Sequence, residues 1–151
     1  MTGPVAAQPS RRFDDFVEGT VYSTYRRTIT EADLVNFTQF AGLRLPIFLD
    51  DEHARASVHG GRIVPGFLTA SVSAGMLESV LGVHTLAGLG MDDFRFHAPV
   101  RPGDTVTAEV GVEKKKETSN PARGILTVRV RVINQREECV LEYLTTVLMA
   151  C

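Results

Sequence analysis

The sequence predicts an α+β fold in which a curved antiparallel sheet covers one long helix. Two observations predict it. Val64 to Leu81 reads as a helix that is apolar or small almost all the way round, with Glu78 its one charge. A helix without a charged stripe is buried rather than amphipathic. The C-terminal half instead alternates with a period of two. Val106, Ala108, Val110 and Val112 share one face of a segment, and Leu126, Val128, Val130 and Val132 share one face of the next. That is the pattern of half-buried strands. Their order, a first strand and helices followed by a run of strands, gives α+β.

The elements follow in chain order. Residues 1–12 contain Pro and Ala without periodicity and read as a loose tail, leaving 13–151 as a single domain. Thr20 to Ile29, rich in Thr, Tyr and Val, predicts a first strand. Thr30-Glu-Ala-Asp33 has capping-box spacing with Asp in place of Glu, and opens a helix that Gly42 ends. Leu43 to Leu49 reads as an apolar loop containing Pro46, and Asp50 or Asp51 caps a short helix through Ser57. His59-Gly-Gly-Arg62 is a turn into the long helix, whose first turn suits Pro65. Gly88 to Asp92 reads as a loop, Arg101-Pro-Gly-Asp104 as a turn, and the lysine-rich Lys114 to Gly124 as a solvated hairpin loop. A last strand spans about Val140 to Met149.

Composition narrows the function classes. The chain has 151 residues, 44% hydrophobic and 23% charged, which is globular rather than disordered. A net charge of -2 with interspersed signs predicts no nucleic-acid partner. The long helix carries Ser, Thr and Glu and is too polar for a membrane span. Cys139 and Cys151 form neither a disulfide framework nor a metal-ligand spacing, so the expected setting is a reducing cytoplasm, with no metal or redox cofactor.

Two phrases carry a resemblance. Phe-His-Ala-Pro-Val-Arg-Pro-Gly-Asp-Thr-Val, residues 96–106, and Val-Pro-Gly-Phe-Leu-Thr-Ala-Ser, residues 64–71, resemble the MaoC-like dehydratase family of (R)-specific enoyl-thioester hydratases. The resemblance implies the hot-dog fold from Thr28 to Leu148. It also implies an acyl-thioester substrate on coenzyme A or acyl carrier protein, and a homodimer or a heterodimer with another hot-dog chain. The family's helix entry is usually His-Gly with a serine five residues beyond the glycine; here these are Pro65, Gly66 and Ser71. Its catalytic segment normally reads Ser-Gly-Asp-x-Asn-Pro-apolar-His-x-Asp, where the Asp and His act on one water. This chain reads Ala41-Gly-Leu-Arg-Leu-Pro-Ile-Phe-Leu-Asp50. Leu43, Leu45 and Phe48 therefore take the catalytic Asp, Asn and His positions.

Hydration of a conjugated thioester needs a base for the water, a proton for the α-carbon, and donors for the enolate oxygen. Gly66 N–H, at the positive end of the helix dipole, is the candidate donor, although the helix by itself reads first as a core helix with a Pro-Gly start. His59 and Asp92 are the candidate proton-transfer groups, each of which also reads as an ordinary turn or strand-flanking residue. Leu43, Leu45, Phe48, Pro65, Ser71 and His97 are expected to line the substrate site. Three functions follow: a hydratase or dehydratase with a non-standard site, a non-catalytic subunit that walls the acyl chain for a dyad-bearing partner, and a thioesterase.

Overall fold

The computed structural model describes residues 10–151. The first nine residues of the expected tail lie outside the described residues. The last three of it are tied down: Ser10 Oγ bonds His84, Arg11 donates to the Val80 carbonyl and Arg12 to that of Cys151.

Six antiparallel strands form one sheet: β1 (Val21–Ser23), β2 (Arg27–Thr28), β3 (Thr85–Phe96), β4 (Thr105–Glu117), β5 (Arg123–Asn134) and β6 (Cys139–Ala150). Their order is β1-β4-β5-β6-β3, with β2 also on β4. The alternating valines of β4 and β5 are buried on one face. They pack with Leu68, Val72, Met76 and Val80 of the long helix α4 (Gly66–Leu81) in one core. Small residues at Ala70 and Ser73 let the sheet come close, and Ser73 Oγ meets the buried Tyr143 hydroxyl at 2.9 Å. Three shorter helices, α1 (Glu31–Ala41), α2 (Pro46–Leu49) and α3 (Asp51–Ala56), precede α4. Among the described residues no helix is long and apolar enough to cross a membrane.

Local chemistry sets the boundaries. Thr30 and Asp33 form the expected capping box, and Gly42 ends α1 at φ 69°. Asp50 caps α3 by accepting from the Glu52 and His53 N–H groups. The expected first strand is broken, because the Thr24 hydroxyl replaces a ladder carbonyl and accepts the Ala108 N–H at 2.9 Å. The expected Leu43–Leu49 loop contains α2, where Pro46 occupies the first helical position. Pro65 is not in the first turn of α4 but caps it, its carbonyl accepting from Leu68 and Thr69 N–H.

Two expected loops are strand. Gly88 to Asp92 belongs to β3, which follows β6 through three register shifts that hide its alternation. Lys114 to Gly124 is mostly an extension of β4 and β5, since Lys115 donates to the Phe16 carbonyl and lies over the Phe13 ring. The long helix is also not buried all round. Phe67 is 69% exposed, and Ser71, Gly75 and Glu78 continue the same open stripe.

Candidate active site

The two sequence phrases meet at the N-terminus of α4. Val64 N–H donates to the Val100 carbonyl at 2.7 Å, which ties the helix entry to residues 96–106. Gly66 then passes directly beneath the Phe96 ring. A Cβ at position 66 would stand 2.5 Å from Phe96 Cε1, so only glycine fits this approach as it stands. The other end of the phrase is held by Asp104. Its carboxylate accepts from Arg101 N–H at 2.9 Å and Gln135 Nε2 at 2.6 Å, with Arg136 at 3.3 Å. Burial pushes its pKa up, but those donors outweigh burial and hold it below the ordinary carboxylate value.

A cavity of about 440 Å³ opens here, lined among others by His59, Gly66, Thr69, Phe96 and His97. Phe67, Phe94 and Phe96 form an aromatic wall with centroids 5.5–6.3 Å apart. Phe94 also stacks on Tyr143 at 4.9 Å. Among the described residues nothing accepts from Gly66 N–H, as expected for the first residue of a helix. Thr69, one turn on, is 2% exposed, and its Oγ1 has no hydrogen-bond partner among the described residues. The site therefore offers a donor at a helix N-terminus, His59 and an orphaned hydroxyl within apolar walls, while the His97 imidazole turns toward Glu142. Such a place suits a polarised carbonyl attached to a hydrocarbon group.

The expected site residues divide sharply. Gly66, His59 and His97 line this cavity. Asp92 does not: it is exposed on β3, opposite Leu144, because the expected Gly-rich loop is strand. Ser71 does not either. It lies on the open stripe of α4, and its hydroxyl donates to the Phe67 carbonyl at 2.7 Å. Pro65 caps the helix without lining the cavity. Leu43 and Phe48 do lie together, but in a separate cavity of about 160 Å³ beside α1. Leu45 is 59% exposed and lines neither. Thr69 and the aromatic wall escaped the sequence reading. Their signals were a threonine one helical turn after Gly66 and the Phe94-x-Phe96 alternation.

Comparison with known proteins agrees with this architecture. The family model described as MaoC like domain matches residues 13–134. The (R)-specific enoyl-CoA hydratase of Rhodospirillum rubrum is 37% identical over 85% of this chain and 90% of its own length. The mesaconyl-CoA hydratase of Cereibacter sphaeroides is 31% identical over 92% of this chain and 41% of its own length. The chain spans 31–41% of the length of that hydratase and of two further curated relatives. A Mycobacterium tuberculosis protein with a double hotdog fold superposes at a TM-score of 0.83, with 21% identity, over 93% of this chain and 44% of that one. The α+β architecture is thus the hot-dog fold, and with its match across residues 13–134 the chain belongs to the MaoC-like domain family.

Proposed function

We propose that the domain of residues 13–151 binds an acyl thioester of coenzyme A at the mouth of α4 and acts as a hydratase or dehydratase on its enoyl or 3-hydroxyacyl group. One observation carries this reading: Gly66 N–H, unpaired among the described residues, and His59 border the same largely apolar cavity. In the hydration direction an imidazole takes a proton from water, and the oxygen adds to the β-carbon. Negative charge moves to the thioester oxygen, which accepts from Gly66 N–H, and the α-carbon then takes the proton that the imidazole removed from water. Donors aimed at that oxygen are worth ~10²–10³ in rate, and each acid-base role about 10²–10⁴. The purified protein is given crotonyl-CoA and longer enoyl-CoA substrates, and loss of the conjugated absorbance is followed. His59→Ala is expected to lower the rate at least ~10²-fold while substrate still binds. An unchanged rate removes His59 from the mechanism.

A second reading has its own observation. The resemblance of residues 41–50 to the family's catalytic segment puts Leu43 and Phe48 at its Asp and His positions, and neither side chain can transfer a proton. A chain that binds acyl-CoA without turning it over, and gains turnover only with a dyad-bearing hot-dog partner, is a tunnel-forming subunit. Either reading suits a dimer along β3, a sheet edge whose Leu86, Leu89 and Met91 are exposed. Leu89→Lys is expected to yield monomers in analytical ultracentrifugation. Cys139 and Cys151 are free thiols, in keeping with a reducing cytoplasm.

A further inference from the structure

We propose that His97, Cys139 and Glu142 form a binding site for a divalent metal ion of borderline softness, zinc(II) foremost, on the outer face of the sheet. One ligand atom from each of the three lies within 4.8 Å of the others. His97 Nε2 and Glu142 Oε2 are 3.7 Å apart. Zinc bonds of ~2.0–2.3 Å in tetrahedral geometry separate ligand atoms by roughly 3.3–3.8 Å, so this set needs only a small closure. Imidazole, thiolate and carboxylate together favour zinc over magnesium or calcium, which take oxygen ligands.

The backbone is irregular where it brings these groups together. Residues i and i+3 of a regular strand face opposite sides of a sheet. Cys139 and Glu142 share a side because β6 carries an extra residue between them. Val132 pairs with Leu141 while Ile133 pairs with Cys139, and the intervening Val140 is buried, as is Leu141. Such bulges re-aim side chains. The bulge also holds the third ligand, since His97 N–H donates to the Val140 carbonyl at 3.0 Å.

Charge around the site is compatible with a cation. Arg129 Nη1 holds Glu142 Oε1 at 2.8 Å, which fixes the carboxylate and leaves Oε2 turned toward His97. Arg131 Nε stands 4.0 Å from Oε2. Both guanidiniums are shared with second carboxylates, Glu113 at 2.7 Å and Glu109 at 2.8 Å. Burial pushes the Cys139 thiol up, and nearby Arg131 partly offsets this. An entering ion must displace that proton, so binding strengthens as pH rises. Three protein ligands leave a tetrahedral ion one position for water or a substrate oxygen, and His97 also borders the Gly66 cavity.

Cobalt(II) substitutes for zinc and reports thiolate ligation through a sulfur-to-metal charge-transfer band. Titrating the reduced full-length protein at about pH 8, close to the ordinary thiol value, is expected to give that band at one cobalt per chain. Zinc should abolish it by displacement. The band should vanish in Cys139→Ser and persist in Cys151→Ser. Affinity should fall at least ~10-fold in His97→Ala, whose exposed side chain is not needed for folding. No band, a band that survives Cys139→Ser, or equal affinity in His97→Ala overturns the proposal. None of these readouts depends on thioester chemistry.

Discussion

Two cavities beside the helices of this domain differ in character. The one at the mouth of α4, about 440 Å³, has His59, a backbone donor and a hydroxyl that are unpaired among the described residues, and aromatic rings. The other, about 160 Å³ beside α1, holds Leu43 and Phe48 together, with Arg44 and Arg62 at its border. Arg62 there serves architecture, bridging Glu31 at 2.7 Å and Asp51 at 2.6 Å to join α1 to α3. Residues 64–71 and 96–106 are joined chiefly by backbone geometry: the Gly66 approach, the Val64–Val100 hydrogen bond and the Asp104 turn. What the second cavity lacks is any group at Leu43 or Phe48 able to carry a proton. One fold therefore presents two cavities of different chemistry, one with polar groups and one lined by Leu43 and Phe48.

The largest expected effect tests the first cavity. Gly66→Ala drives a Cβ to within 2.5 Å of the Phe96 ring. That ring is 53% exposed, so it can swing aside and the protein still folds. The displaced wall and donor should weaken acyl-CoA binding or turnover by ~10²-fold, read by calorimetry and by the enoyl-CoA assay. A fully active Gly66→Ala enzyme breaks the assignment of this end of α4. The converse substitution, Phe48→Ala, should cost about 1–2 kcal/mol in urea unfolding while leaving acyl-CoA affinity within ~2-fold. If Phe48→Ala weakens binding as much as Gly66→Ala, the two cavities work as one and the comparison fails.

Thr69→Val sharpens the contrast between stability and use. An unpaired buried hydroxyl costs about 1–3 kcal/mol, and an apolar group of the same shape removes that cost. The variant should therefore be more stable by about 1 kcal/mol in denaturant unfolding. A hydroxyl kept for substrate gives a second signature, namely weaker binding of 3-hydroxybutyryl-CoA than of butyryl-CoA relative to the parent. Greater stability with an unchanged preference assigns Thr69 to packing alone.

How much of this was legible in the sequence follows from the range of each interaction. The core strands were readable because burial on one face imposes a two-residue period on Val106 to Val112 and on Leu126 to Val132. The caps were readable because Thr30, Asp33, Gly42 and Asp50 act on neighbours within a few residues. β3 was not, since its Gly88 to Asp92 segment follows β6 through register shifts that only the partner strand defines. The place of Gly66 at the start of α4 was readable from the Pro-Gly that opens the helical pattern, whereas Asp92 was placed by an expected loop that is strand. Thr69, Glu142 and the side that Cys139 faces depend on contacts distant in sequence. A bulge in β6 leaves no local signature that distinguishes it from regular strand.

The smallest effect separates the two regions by pH. Asp33, at the start of α1, is held below the ordinary carboxylate value first by the Thr30 N–H, against opposing burial, and then by the Thr30 hydroxyl and Arg27. A depressed carboxyl contributes stability that is present above its unfolded value, about 3.9, and is lost as pH falls through the lower folded value. Asp33→Asn weakens the capping box and the Arg27 pair, and should cost about 0.5–1 kcal/mol near neutrality. The difference from the parent should shrink as the medium is acidified below pH ~4. Since α1 residues line the Leu43–Phe48 cavity and none lines the Gly66 cavity, acyl-CoA affinity at neutral pH should not move. A loss of affinity in Asp33→Asn joins α1 mechanically to Gly66. It also turns Leu43 and Phe48 from packing into part of the thioester site.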